Sequence, residues 1–156
     1  MRLGQGELEP SKELVIGNTP QKIQKYGADD NQLTIKQNTV KKTAYPAGYL
    51  DALKGLETRN TQGHNLGVGT VKNLRKDLEN PVAILKSDTQ KDSLVVFINR
   101  VNKDNEPILV PIHLDKKGAI GINNEVASAY GKRSYADFID LQRKKGNVLY
   151  ENKKMG

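Results

Sequence analysis

His64 is the side chain of this sequence whose type and setting are best suited to chemistry. It lies between Gly63 and Asn65 in the segment Gln62–Leu66 of a chain that has two histidines, no cysteine and no tryptophan. Histidine exchanges a proton near neutral pH, so His64 is the first residue to be considered as an acid or base. The same pattern is also compatible with His64 being a polar loop residue that has no role in function.

The composition indicates one folded domain. The 156 residues suit a single core, so we expect one domain over residues 1–156, with 1–12 as a linker from a longer polypeptide. The absence of cysteine excludes a disulfide framework and a thiolate metal site. No apolar run approaches the ~20 residues of a membrane-spanning helix, and carboxylates are scattered rather than clustered. We expect no membrane association, no metal and no cofactor.

The charge is basic and unevenly distributed. The chain has 25 lysines and arginines against 18 aspartates and glutamates, for a net charge of +7. The excess lies in residues 1–80 and 132–156, around a balanced middle. A basic surplus favours a polyanionic partner, either a nucleic acid or an acidic protein. The run Arg143–Lys145 is typical of a solvated helix end.

The first half of the chain has mainly helical patterns. Thr19 is expected to cap a helix over Gln21–Tyr26 with Pro20 in its first position, and Thr70 to cap a helix over Thr70–Leu78. Thr58–Gly69 is predicted as a long loop that contains His64. The remaining predicted elements are short strands at Leu14–Ile16 and Leu33–Ile35 and helices at Asn38–Tyr45 and Pro46–Glu57.

The second half has strand patterns. We expect an antiparallel meander of Val82–Leu85, Ser93–Ile98 and Pro107–Leu114. Pro111 predicts that the third strand is an edge strand or carries a bulge, and His113 alternates to an exposed position. Three elements follow: a weaker run at Ala119–Val126, a helix over Ser134–Lys145 capped by Ser134, and a strand at Asn147–Tyr150. Helices followed by a sheet indicate an α+β domain.

Segments spread over nearly the whole chain resemble, in order, the C-terminal toxin-like domain of phage MuF head-morphogenesis proteins and related polymorphic toxins. The segments are Val15–Pro20, Val40–Lys42, Gly63–Leu66, Leu74–Leu78, Asn80–Ser87, Ser128–Lys132 and Gly146–Lys153. The resemblance implies the group of metal-independent ribonuclease folds that includes barnase, EndoU, colicin nucleases and RelE. Its implied architecture is α+β, with N-terminal helices followed by a four-stranded antiparallel β-sheet.

The resemblance implies a metal-independent endoribonuclease toxin that cleaves tRNA or other RNA by attack of the 2′-hydroxyl. It also implies a cognate immunity protein, which we expect to be acidic. Such a domain is exported or delivered by a phage as part of a longer protein, and it acts in the cytoplasm of the target cell.

By the same resemblance, the residues that match the catalytic positions of the family are His64, Lys42, Ser87, Ser128 and Tyr130. RNA cleavage without metal needs a base, an acid and groups that stabilise charge on the phosphate. His64 would be the acid or base, Lys42 would stabilise the phosphate, and the hydroxyls would orient it. Lys41 remains an alternative to Lys42. The expected RNA contacts are Lys86, Lys132, Arg133 and Lys153.

Each of these residues also has a purely structural interpretation. Lys42 suits a solvated surface, Ser87 suits a turn cap, and the ring of Tyr130 suits packing under the sheet. The alternative function is a catalytically inactive nucleic-acid- or protein-binding module of the same fold, and a third is an ADP-ribosyltransferase-like toxin. The low aromatic content argues against a base-stacking platform.

Overall fold

The computed structural model describes residues 12–44, 66–118 and 121–152. The strands are β1 Glu13–Asn18, β2 Gln32–Lys36, β3 Ala83–Lys86, β4 Ser93–Val101, β5 Pro107–Gly118, β6 Gly121–Val126, β7 Tyr130–Gly131 and β8 Val148–Glu151. The helices are α1 Gln21–Lys25, α2 Gln37–Ala44, α3 Val68–Lys72, α4 Leu74–Leu78 and α5 Tyr135–Lys144. The predicted helix at Pro46–Glu57, most of the predicted loop and His64 lie outside the described residues.

One eight-stranded sheet organises the described residues. Its order is β1-β2-β6-β5-β4-β3-β8, and β7 pairs separately with β5. The strands β3, β4, β5 and β6 form an unbroken antiparallel series. The first three of them confirm the predicted three-stranded meander. The strands β2 and β6 pair in parallel, so the N-terminal antiparallel pair of β1 and β2 extends the same sheet. The fold is therefore α+β.

Alternation along the strands divides the core between the two faces of the sheet. Along β4, Leu94, Val96 and Ile98 belong to one buried cluster with residues of α1 and α4. Phe97 belongs to a second cluster, which includes Ile139 of α5. We call these the α1/α4 face and the α5 face. Of the helices that the structure describes, none is long and apolar enough to cross a membrane.

The sheet is larger than the four-stranded sheet that we expected. The segments of β1 and β2 were predicted as short runs, but the pairing of β2 with β6 could not be read from the sequence because it joins residues as distant in the chain as Leu33 and Asn124. Because of Pro111, the third strand was predicted to be an edge strand or to carry a bulge. β5 is an interior strand, and its register with β6 shifts between His113 and Lys116. Proline is tolerated there because the neighbour of β5 changes from β7 at Leu109 to β6 at Ile112.

Two predicted helix caps are wrong. The hydroxyl of Thr19 donates to the carbonyl of Asn31 at 2.7 Å and accepts from Nδ2 of Asn124 at 2.8 Å, so it ties α1 to the sheet instead of capping it. Helix α3 begins before Thr70, whose hydroxyl donates to the carbonyl of Leu66 at 2.8 Å. In both cases the threonine hydroxyl binds a nearby backbone carbonyl instead of the backbone amide that a helix cap would bind.

The late helix lies where the sequence predicted it. Ser134 is its N-cap but has a left-handed backbone and makes no side-chain capping bond. Gly146, with φ of 75°, ends it, as glycine often does. Helix α5 packs Tyr135, Phe138 and Ile139 against the second cluster, which covers the part of the α5 face next to β8.

Candidate active site

The residues matched to the family lie on different elements of the fold. Lys42 is on α2 and Ser87 follows β3. Ser128 lies in the connection between β6 and β7, and Tyr130 is the first residue of β7. Tyr130 is opposite Leu109 on β5, whereas the backbone of Ser87 bonds to Ser93, which is opposite His113. Four residues of β5 separate these positions, or about 13 Å along the strand. The predictions for His64 and Lys153 concern residues outside the described ranges.

The hydroxyl of Ser87 holds a turn. Its Oγ accepts from the backbone amides of Gln90 at 3.0 Å and Thr89 at 3.4 Å. This geometry closes the connection between β3 and β4, as in the turn-capping interpretation. Lys86 precedes it with an exposed side chain.

The ring of Tyr130 packs against the second cluster on the α5 face. Burial raises the pKa of its phenol. Two of the predicted RNA contacts follow it in the chain. Nζ of Lys132 lies 4.7 Å from the ring centroid of Phe138, and Nε of Arg133 lies 3.9 Å from Oε2 of Glu106 with 91% of the arginine side chain exposed. Tyr130, Lys132 and Arg133 therefore lie along the start of α5.

A row of polar side chains crosses the α5 face on four neighbouring strands. Ser93 on β4 is opposite His113 on β5, His113 is opposite Glu125 on β6, and Glu125 is opposite Thr34 on β2. We call these four residues the cross-strand row. Directly opposite residues have Cβ atoms about 4.5–5.5 Å apart, so the side chains of the row are neighbours.

The contacts within the row leave the outer nitrogen of the imidazole available. Oγ of Ser93 lies 2.7 Å from Nδ1 of His113, and in the part of the chain that the structure describes nothing bonds to Nε2. His113 is partly exposed, whereas Ser93 and Glu125 are each 8% exposed. The hydroxyl thus fixes the ring while Nε2 remains able to meet a ligand.

The far end of the row carries a charge pair and an unpaired hydroxyl. Nζ of Lys36 lies 3.7 Å from Oε2 of Glu125, and the lysine side chain is 42% exposed. The Oγ1 of Thr34 is buried and has no hydrogen-bond partner among the residues that the structure describes. Buried polar groups are nearly always paired, so this hydroxyl makes the row an unusual place in the sheet.

Sequence reasoning assigned His113 to an exposed strand position, whereas the structure shows it partly exposed and in contact with Ser93. Alternation gave the right face, because Ile112 and Leu114 on either side of His113 pack into the cluster on the α1/α4 face. The missing information was the register between β5 and β6, which shifts between His113 and Lys116. A bulge of this kind has no sequence signal beyond a polar stretch.

Acidic side chains gather beyond the row. Partial desolvation and the charge of Asp29 raise the pKa of Asp115, and Asp92 adds to the effect. Nδ2 of Asn31 donates to Oδ1 of Asp115 at 2.9 Å. Within residues 12–44, 66–118 and 121–152, no three histidine, aspartate or glutamate side chains are grouped so that they could hold a metal ion.

A family model described as the phage MuF-C-terminal domain matches residues 56–156. The match includes β3 to β8 and α5, and therefore Ser93, His113 and Glu125 of the cross-strand row. No curated protein and no solved structure matches the chain. Because the matched residues are well over half of the sequence, the chain belongs to the phage MuF C-terminal domain family.

Proposed function

We propose that this domain is a metal-independent endoribonuclease and that the cross-strand row supplies its proton-transfer groups. The observation that carries the proposal is the placement of an imidazole and a carboxylate opposite each other at His113 and Glu125. His113 is the one imidazole among the residues that the structure describes. An acid and a base side by side are what cleavage by the 2′-hydroxyl requires.

In the proposed reaction the carboxylate of Glu125 takes the proton of the 2′-hydroxyl. The 2′-oxygen then attacks the adjacent phosphorus, and the bond from phosphorus to the 5′-oxygen breaks. Protonated His113 gives its Nε2 proton to the leaving 5′-oxygen. The products are a 2′,3′-cyclic phosphate and a 5′-hydroxyl end. The exposed ammonium of Lys36 neutralises charge that develops on the phosphate oxygens.

Ser93 is a positioning residue in this scheme. Its hydroxyl at 2.7 Å from Nδ1 holds the ring so that Nε2 points away from β4.

The resemblance supplies further parts of the proposal. His64 remains a second candidate for the acid or base, and Lys42, Ser87, Ser128 and Tyr130 remain candidates for phosphate contacts. We also propose that β3, β4, β5 and β6, an antiparallel series within the larger sheet, correspond to the four-stranded sheet of the barnase and RelE fold group. An acidic immunity protein would be the natural inhibitor, since the net charge here is +7.

The test is incubation of the purified protein with tRNA and other RNA in excess EDTA, followed by analysis of the fragment ends. We expect cyclic phosphate or 3′-phosphate ends. His113→Asn and His64→Ala are compared with Lys76→Gln, which changes an exposed lysine of α4. Loss of cleavage in His113→Asn alone supports the cross-strand row, and loss in His64→Ala alone moves the site to the loop.

The alternative is a binding module without activity. It predicts that no RNA is cut under any condition and that RNA still binds in a salt-dependent manner. The third possibility, an ADP-ribosyltransferase-like toxin, predicts transfer of label from a nicotinamide dinucleotide to a macromolecule. Neither result is compatible with the ribonuclease proposal.

A further inference from the structure

We propose that single-stranded RNA binds across a second surface, on the α1/α4 face at the β8 edge of the sheet. The surface consists of Lys22, Lys25, Tyr26, Lys86, Lys91 and Tyr150, and we call it the tyrosine–lysine surface. This inference deepens the proposed function, on which it rests, by naming an unpaired strand as the form of the substrate. None of the six residues belongs to the cross-strand row.

The centre of the surface is a pair of aromatic rings. Tyr26 follows α1 and Tyr150 lies on β8, with ring centroids 5.3 Å apart and planes inclined by 40°. Both side chains are partly exposed. Bases of a single strand stack on such rings irrespective of their identity, because every base has a flat aromatic face. The low aromatic content of the chain had argued against this, but the two rings come together only in the folded state.

Lysines surround the pair. Nζ of Lys22 lies 4.6 Å from the ring centroid of Tyr150, and Nζ of Lys25 lies 5.7 Å from that of Tyr26. Exposed cation–π contacts of this kind are weaker than the stacking of a base. When a base occupies a ring face, the flexible lysine stem therefore lets the ammonium move to the neighbouring phosphate.

A cleft adjoins the pair on the side of the turn between β3 and β4. Its volume is about 340 Å³, at the small end of the range for ligand sites. The lining includes the apolar residues Leu94, Leu114 and Leu149 and the exposed residues Lys86 and Lys91. Asp92 is also in the lining, so the two lysines leave a net positive charge. Apolar side chains next to exposed cations suit one base and its phosphate.

The cleft is connected to the cross-strand row through the start of β4. Ser93 lines the cleft and also contacts Nδ1 of His113. The side chains of Ser93 and Leu94 point to opposite faces because they are consecutive in a strand. A strand of RNA that leaves the cleft around this end of the sheet therefore reaches the row within a few nucleotides.

Binding is measured by fluorescence anisotropy with a labelled DNA eight-mer of deoxyadenosine, which cannot be cleaved because it lacks the 2′-hydroxyl. We expect Tyr26→Leu and Tyr150→Leu each to weaken binding roughly tenfold, the loss of one stacked base. Tyr26→Phe and Tyr150→Phe should retain binding, since the ring remains. Lys86→Gln together with Lys91→Gln should weaken binding and flatten its salt dependence.

The matched control is Lys72→Gln together with Lys76→Gln, which removes the same charge from exposed positions on α3 and α4. Equal effects of the two lysine pairs, or unchanged binding in both leucine variants, would overturn the proposal. So would equal affinity for a duplex of the same length. The control pair should bind the eight-mer as the unchanged protein does. Failure to cut RNA then counts against the proposed function alone, and failure to bind counts against this surface alone.

Discussion

Two parts of the same sheet face differ in their side chains and in what they can do. Under α5, the α5 face is apolar: Phe97 is fully buried and meets Tyr135 and Phe138 at ring-centroid distances of 4.8 and 5.9 Å. Four residues earlier on β4, Ser93 begins the cross-strand row. Ser93 and Phe97 lie on one face because side chains of a strand alternate between its two faces. Alternation therefore fixes the face of a residue but not the kind of side chain that stands there.

The difference also concerns hydrogen bonding and charge. The side chains of the apolar part need no hydrogen-bond partners. Replacing one of them by a smaller residue lowers the stability of the protein through lost packing. The row contains an imidazole, a carboxylate and hydroxyls in a place where each unpaired group is costly. A part of a sheet that keeps such groups is expected to contribute to function more than to stability.

The largest effect that separates the two parts is expected for Glu125→Gln. The shape of the side chain is kept but the proposed base is lost, so cleavage should fall by about 10²- to 10⁴-fold. The measurement is the rate of RNA cleavage under single-turnover conditions. Asp137→Asn, at an exposed position of α5, is the control. A cleavage rate within twofold of the unchanged protein would remove Glu125 from the mechanism.

In the apolar part, Phe97→Ala should lower the free energy of unfolding by about 3–5 kcal/mol, because it removes a fully buried ring. Denaturant-induced unfolding measures this. Val95→Ala on the same face is a milder comparison, since Val95 is only partly buried. If the two variants lose the same stability, the packing under α5 is not what holds this part together.

Thr34→Val should raise the free energy of unfolding by about 1 kcal/mol. It replaces a buried hydroxyl that has no partner within the described part of the chain by a methyl group of similar shape. The same denaturant measurement applies. Thr19→Val is the contrast, since the Thr19 hydroxyl makes two hydrogen bonds and its removal should destabilise the protein. A loss of stability in Thr34→Val would indicate that the hydroxyl is bonded in solution.

The smallest effects concern two exposed carboxylates with opposite shifts. Desolvation and Asp29 raise the pKa of Asp115, so its charge opposes folding at neutral pH and the penalty disappears as pH falls through that raised pKa. A hydrogen bond from Lys145 lowers the pKa of Asp88. The charged form of Asp88 therefore stabilises the folded protein above the pKa of the unfolded chain. This stabilisation is lost as pH falls through the lowered pKa. Lys145 follows α5 directly, so Asp88 is linked to the part of the sheet that α5 covers.

The expected result at pH 7 is a higher melting temperature for Asp115→Asn and a lower one for Asp88→Asn, both by small amounts. In Asp115→Asn the new side chain keeps an oxygen that can accept from Nδ2 of Asn31, which now donates to Asp115 at 2.9 Å. Thermal unfolding from pH 7 down to pH 3 should bring both variants closer to the unchanged protein. Shifts of the same sign at pH 7 would contradict the assignment of charges.

Much of the fold followed from local patterns. The strand patterns of Ser93–Ile98 and Pro107–Leu114 gave β4 and β5. The helix α5 followed from Ser134 as a cap and from the apolar residues Phe138, Ile139 and Leu141. The caps were less well predicted, because Thr19 and Thr70 bind carbonyls that only the folded chain brings near. The expected size of the sheet, four strands, was also wrong. The strands β1 and β2 join the sheet through the long-range pairing of β2 with β6.

The candidate site was only partly accessible from sequence. The motifs gave the family, and the match to the phage MuF C-terminal domain over residues 56–156 confirms it. The roles of His64, Lys42, Ser87, Ser128 and Tyr130 stay predictions. His113 was set aside as a strand residue because its partners are 20 residues before it and 12 after it in the chain.

By itself the sequence determined the α+β class, the basic character, the antiparallel meander and the family, because these depend on composition and on residues close together in the chain. The tertiary structure alone decided which polar side chains meet. The contact of Ser93 with His113 and the position of His113 opposite Glu125 depend on strand register. The pairing of Tyr26 with Tyr150 depends on α1 packing beside β8. Register and packing come from the sum of many distant contacts, which no short segment encodes.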